Sequence, residues 1–147
     1  MLVIVLDSNE YIFSFGLFKK PSCERFLNTF LEHNNIFSIR ITKTIFNEVK
    51  ANLTPEEFKE FILFINTLSI RVDEDSEISF ELGSKYEAMG LKPADAFIAA
   101  YAEFVGADML ISENRHFLSR HHTRLSFKIC NAETCLKFIK SSHPHLR

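Results

Sequence analysis

Five consecutive apolar residues, Leu2-Val3-Ile4-Val5-Leu6, run straight into Asp7-Ser8-Asn9. A strand with one wet face alternates apolar and polar side chains, whereas an unbroken apolar run needs cover on both faces. The run therefore predicts a central strand of a parallel sheet, with helices packed above and below. It also predicts that this strand ends in a carboxylate.

The rest of the chain alternates helix-spaced and strand-like segments. Phe26, Leu27, Phe30 and Leu31 share one face of a helix over 22–31. Asn34-Asn35 breaks it before a second strand over 36–41. Thr42 or Thr44 caps the next helix, which runs to about residue 52. Thr54-Pro55-Glu56-Glu57 combines an N-cap, a proline at the first helical position and a capping-box glutamate. A third strand is predicted over 69–72, and a helix over 76–89 that Gly90 ends. Pro93 opens a helix that Gly106 closes. A fourth strand follows over 109–112, a fifth over 126–130, a last helix over 132–140 and a frayed tail over 142–147. Such alternation predicts an α/β fold with a five-stranded, largely parallel sheet flanked by helices, formed by one domain over 1–147.

Composition removes several functions. The net charge of −2 excludes wholesale neutralisation of phosphates, so any nucleic-acid contact is local. Four glycines and no glycine-rich loop exclude a P-loop or dinucleotide fold. The cysteines Cys23, Cys130 and Cys135 are odd in number and form no CxxC pair, which fits a reducing compartment. The chain shows no signal peptide, and no apolar run approaches the roughly 18 residues of a membrane span. The expected location is the cytoplasm, with no membrane partner.

Ligands of open parallel sheets bind beyond the carboxyl ends of the strands. Strand one ends in Asp7-Ser8-Asn9 and strand four in Ser112-Glu113-Asn114, so adjacency of these strands brings their polar ends to one edge. Glu48 lies about 60° from Ile45 on its helix, at the border of the apolar face. Asp95 falls in the first turn after Pro93. Clustered carboxylates repel one another and call for a cation or for raised pKa values. Each residue also has a structural alternative: Asp7 as a helix cap, Asp95 as partner to a helix dipole, Glu48 as a solvated helix residue, Asn114 as an N-cap. The basic stretch from Arg115 through Arg120 to Arg124 offers phosphate contacts, or only solvated charge. His116, His121, His122, Cys130 and Cys135 lack zinc-ligand spacing.

The order Asp7-Ser8-Asn9, then Ile45-Phe46-Asn47-Glu48-Val49, then Pro93-Ala94-Asp95-Ala96-Phe97, then Met109-Leu110-Ile111-Ser112-Glu113-Asn114 resembles the PIN domain, including the VapC-type toxins of toxin–antitoxin pairs. The resemblance covers nearly the whole chain. It implies a PIN-like three-layer fold and an Mg2+- or Mn2+-dependent endoribonuclease, commonly a homodimer restrained by a cognate antitoxin. Asp7, Glu48 and Asp95 match the family's three core acids as catalytic and metal-ligating residues. Ser112 matches the Ser/Thr that ends strand four. Asn114 stands where a fourth acid is frequent, and Glu113 beside it is a supporting residue. Arg115, Arg120 and Arg124 are the expected RNA contacts.

Two other readings compete. One is a PIN-like module that binds RNA or protein without cutting, which the neutral Asn114 keeps open. The other is a phosphoryl-transfer enzyme with Asp7 as nucleophile, which lacks the second Asp of a DxD motif.

Overall fold

The computed structural model describes residues 1–118 and 125–142. The central strand β1 (Leu2–Leu6) is followed by helices α1 (Ser8–Phe15) and α2 (Pro21–Glu32), then strand β2 (Phe37–Thr42). Helices α3 (Lys43–Ala51) and α4 (Pro55–Thr67) lead to strand β3 (Arg71–Asp73), a 3-10 turn (Asp75–Glu77) and helices α5 (Phe80–Ala88) and α6 (Pro93–Phe104). Strand β4 (Met109–Ile111), the short helix α7 (Arg115–Leu118), strand β5 (Lys128–Cys130) and helix α8 (Ala132–Ser142) complete the described order.

The strands form one sheet in the order β3-β2-β1-β4-β5, and all four pairings are parallel. The α/β architecture and the five-stranded parallel sheet expected from the sequence are therefore present. Ile4, Val5 and Leu6 are wholly buried in succession, which requires cover on both faces of β1. One packed group of helices comprises α1, α2, α3, α4 and α8, while α5 and α6 pack on each other. Right-handed crossovers put the helices before β3 on one face of the sheet and those between β3 and β4 on the other.

Local chemistry explains the boundaries. Thr42 caps α3 by accepting from the Ile45 amide, and Thr54 with Glu57 forms the expected capping box on α4. Gly90 and Gly106 take positive φ angles of 96° and 67° after α5 and α6, the conformation that glycine adopts without a Cβ clash. Much of the phenylalanine goes into edge-to-face packing: Tyr11 and Phe15 of α1 meet Phe61 and Phe64 of α4, and Phe30 meets Phe37.

Several boundaries move from expectation. The third strand is Arg71–Asp73 rather than 69–72, because Ser69 turns the chain with a φ of 52°. The helix expected over 76–89 divides into the 3-10 turn and α5, which Ser79 caps. Helix α1 begins immediately after Asp7, and α7 occupies the start of the segment read as a basic loop. Residue 142 belongs to α8, so that part of the expected tail is helical. The remainder of that tail, 143–147, lies outside the described residues, as do Arg120 and Arg124.

Asp73 ties three elements together. Arg40 of β2 grips its carboxylate with two hydrogen bonds of 2.9 Å, Arg71 adds an ion pair at 2.9 Å, and the Tyr101 hydroxyl of α6 donates to it. The carboxylate is 1% exposed, and its partners hold its pKa below the usual range although burial alone would raise it. Asp73→Ala should cost about 3 kcal/mol, since it strands Arg40 and Tyr101. Tyr101→Phe, which leaves both arginines in place, should cost about 1 kcal/mol. Urea denaturation of the two variants checks the order, and equal losses would rule out this anchor.

Candidate metal centre

The parallel pairing of β1 with β4 brings two strand ends side by side, with Leu6 opposite Ile111. The Asp7 amide then donates to the Ile111 carbonyl at 2.8 Å, carrying the ladder one residue further. One oxygen of the Asp7 carboxylate accepts from the Ser8 amide at 2.8 Å and caps α1. The other accepts from the Ser112 hydroxyl at 2.8 Å. Helix cap and strand-end acid are thus roles of the same side chain.

Ser112 extends the network. Its oxygen accepts from the Asn114 amide at 3.1 Å, and the Asn114 side-chain amide donates to Asp95 at a longer 3.4 Å. Asp95 lies in the first turn of α6 and is half-buried. Asp7, Ser112, Asn114 and Asp95 therefore form one connected set spanning β1, β4 and α6. Glu48 lies on the solvent side of α3 and is exposed.

The electrostatics couple the three acids. Asp7 is 5% exposed, and burial raises its pKa above the ordinary carboxylate value. The bonds from Ser112 and Ser8 oppose that rise, while the nearby charges of Glu48 and Asp95 reinforce it. Asp7 is thus the focus of a field made by two further carboxylates. Among the described residues, these acids do not bring their ligand atoms as a group within 4.8 Å of one another. Their donor atoms are all oxygens, the chemistry that suits a hard cation rather than a soft one.

Glu113 takes a different course from its neighbours. Its carboxylate accepts from the Lys20 ammonium at 2.7 Å and from the Ala132 amide at 3.0 Å. It shares a compact group with Glu10 of α1 and Cys23 of α2, whose ligand atoms all lie within 4.8 Å. Its side chain is thus held by Lys20 and the Ala132 amide. Arg115 is exposed at the start of α7.

In the sequence Glu10 carries no signal of a site, and Cys23 reads as one of three cysteines without a CxxC pair. Asp7-Ser8-Asn9-Glu10 reads as an ordinary polar helix start, and only the tertiary fold shows Glu10 wholly buried. Burial pushes its pKa up to about 10, with help from the adjacent Glu113. Burial also raises Glu113, but hydrogen bonds from Glu10, Lys20 and the Ala132 amide outweigh it and hold that pKa low.

No protein-family model matches the sequence, and no curated protein matches it. Among solved structures, the chain is similar to one in the crystal structure of VapBC2 from Rickettsia felis bound to a DNA fragment from their promoter. The match has a TM-score of 0.61 and 16% identity, and covers 88% of this chain and 98% of that one. At that identity the likeness concerns the fold.

A pH dependence follows from Glu10. In the folded chain it keeps its proton up to about pH 10, whereas unfolded it ionises near 4.5. The folded state therefore binds the extra proton between these values. Its stabilising effect is complete below pH 4.5 and is lost as pH rises towards about 10. In the presence of chelator, Glu10→Gln should lose less stability than the wild type between about pH 6 and 9. Thermal denaturation across that range checks this, and parallel curves for the two proteins would contradict it.

Proposed function

We propose that the chain is a PIN-type, divalent-metal-dependent endoribonuclease. The observation that carries this reading is the linked set of Asp7, Ser112, Asn114 and Asp95, with Glu48 close enough to raise the Asp7 pKa. Asp7 and Asp95 would hold Mg2+ or Mn2+, directly or through water, and Glu48 would complete the pocket from its rim. When bound, such an ion stabilises charge on a phosphoryl oxygen and lowers the pKa of a coordinated water.

The chain's own residues perform the remaining tasks. Ser112 fixes the rotamer of Asp7 by donating to the oxygen that does not cap α1. Asn114 orients Asp95 through its amide and adds no negative charge to a crowded edge. Glu48, exposed on α3, would complete the acidic pocket or accept a proton from a water attacking an RNA phosphodiester in line. Arg115 is exposed one residue beyond Asn114, where it can meet a backbone phosphate.

The motif resemblance to VapC-type toxins and the fold shared with a chain of the VapBC2 structure support a further step. We extend the reading to the toxin half of a toxin–antitoxin pair, acting as a homodimer with a cognate antitoxin. No helix among the described residues is long and apolar enough to cross a membrane.

Cleavage of a mixed RNA panel, with and without Mg2+ or Mn2+, tests the nuclease. Wild-type cutting should require metal and disappear in Asp7→Asn and in Asp95→Asn. Ser112→Ala should retain activity lowered by about 10- to 100-fold, because it releases the orientation of a ligand rather than the ligand. RNA bound but never cut would favour the non-catalytic module, and cutting indifferent to both Asp substitutions would sink the assigned centre. In addition, Mg2+ should raise the melting temperature of the wild type and leave that of Asp7→Asn unchanged.

A further inference from the structure

We propose that Glu10, Cys23 and Glu113 form a second metal site, of zinc type, distinct from the acids at the strand ends. This inference does not depend on the nuclease reading. The three residues come from α1, α2 and the connection after β4, and each offers a ligand atom within 4.8 Å of the other two. Tetrahedral zinc holds oxygen and sulfur at about 2.0–2.3 Å, so a closure of about 1 Å suffices, with a fourth position left for water.

A separate observation points to an occupant. Glu10 is wholly buried, and as an ionised carboxylate it finds no hydrogen-bond donor for either oxygen. A buried carboxylate without a donor is expensive. Its neighbours in the group are a second carboxylate, which has no hydrogen to give when ionised, and a thiol, which is a weak donor. A cation supplies what both lack.

Charge also balances there. Ionised Glu10, Cys23 and Glu113 carry −3, and the Lys20 ammonium, 2.7 Å from Glu113, returns +1. The remaining −2 equals the charge of one divalent ion. The ligand set selects among ions. Mg2+ and Ca2+ take oxygen ligands, whereas a thiolate with carboxylates suits zinc or a neighbouring transition metal. Lys20 is half exposed, so its ion pair with Glu113 links the buried group to the surface.

Cobalt(II) makes the site visible, because a thiolate bound to it gives an intense near-ultraviolet charge-transfer band that carboxylates do not produce. Metal-free, full-length protein titrated with Co2+ should develop this band at one ion per chain, and one equivalent of Zn2+ should bleach it. Asp7→Asn and Asp95→Asn should keep the band, which separates this site from the proposed catalytic one, and Cys23→Ala should lose it. Glu10→Gln should weaken Co2+ binding at least about 10-fold, which serves as the decisive variant if Cys23→Ala fails to fold. Absence of the band in wild-type protein overturns the proposal and leaves protons as the occupants of the group. So does a band that survives Cys23→Ala, or affinity unchanged in Glu10→Gln.

Discussion

The hydrogen bond from Ser112 to Asp7 joins the ends of two neighbouring parallel strands, and most of the candidate centre depends on it. Without the β1–β4 pairing, Asp7 would be a helix cap and Ser112 a loop residue 105 positions away. With it, one carboxylate ends a buried strand, starts a helix and faces two other acids. The register is fixed from the far end as well, where the Asp108 carboxylate and amide bracket Val3 with two bonds of 2.8 Å. Sheet register thus becomes side-chain geometry: a slip of β1 by one residue would turn Asp7 to the face opposite Ser112.

Helix α6 brings the second acid. Pro93 starts it, so Asp95 occupies the first turn, where a carboxylate is favoured by the exposed amides. Tyr101, six residues later, anchors the same helix to Asp73 beside β2. The tilt of α6 against the sheet, and hence the approach of Asp95 to Asn114, is tied to an ion-paired network that contains none of the strand-end acids. Stability and site geometry therefore share a support without sharing residues.

What the sequence disclosed follows from how local each signal is. The apolar run of β1, the capping box at Thr54 and the helix stops at Gly90 and Gly106 act within a few residues, and all appear where expected. Edge elements were harder. Strand β3 has only three residues and its placement depends on the Ser69 turn and on Asp73 meeting Arg40, a partner 33 positions away. Helix α1 lacks a clean apolar stripe because it buries Ser8, Glu10 and Ser14 along with Tyr11. That same irregularity hid Glu10, since a buried glutamate is indistinguishable in sequence from a solvated one. Glu113 was visible as an acid, but which way it turns beside Asn114 is decided by Lys20 and by the Ala132 amide.

The two groups of carboxylates show how burial divides the work of one short helix. Asp7 caps α1 and Glu10 lies three residues on, about 60° around the helix axis, so they face different neighbours. Asp7 feels the charges of Glu48 and Asp95, and Glu48 is exposed to solvent. The repulsion is of the kind that a hydrated ion relieves without dehydrating fully. Glu10 has no such access to solvent. It lies 0% exposed against a thiol and an ion-paired carboxylate, so the alternatives are a retained proton or an ion stripped of most of its water. Stripping suits a metal that bonds sulfur strongly and not one that clings to its hydration shell. On the two proposals together, the degree of hydration would separate a hard-cation edge from a soft-cation pocket within one turn of helix.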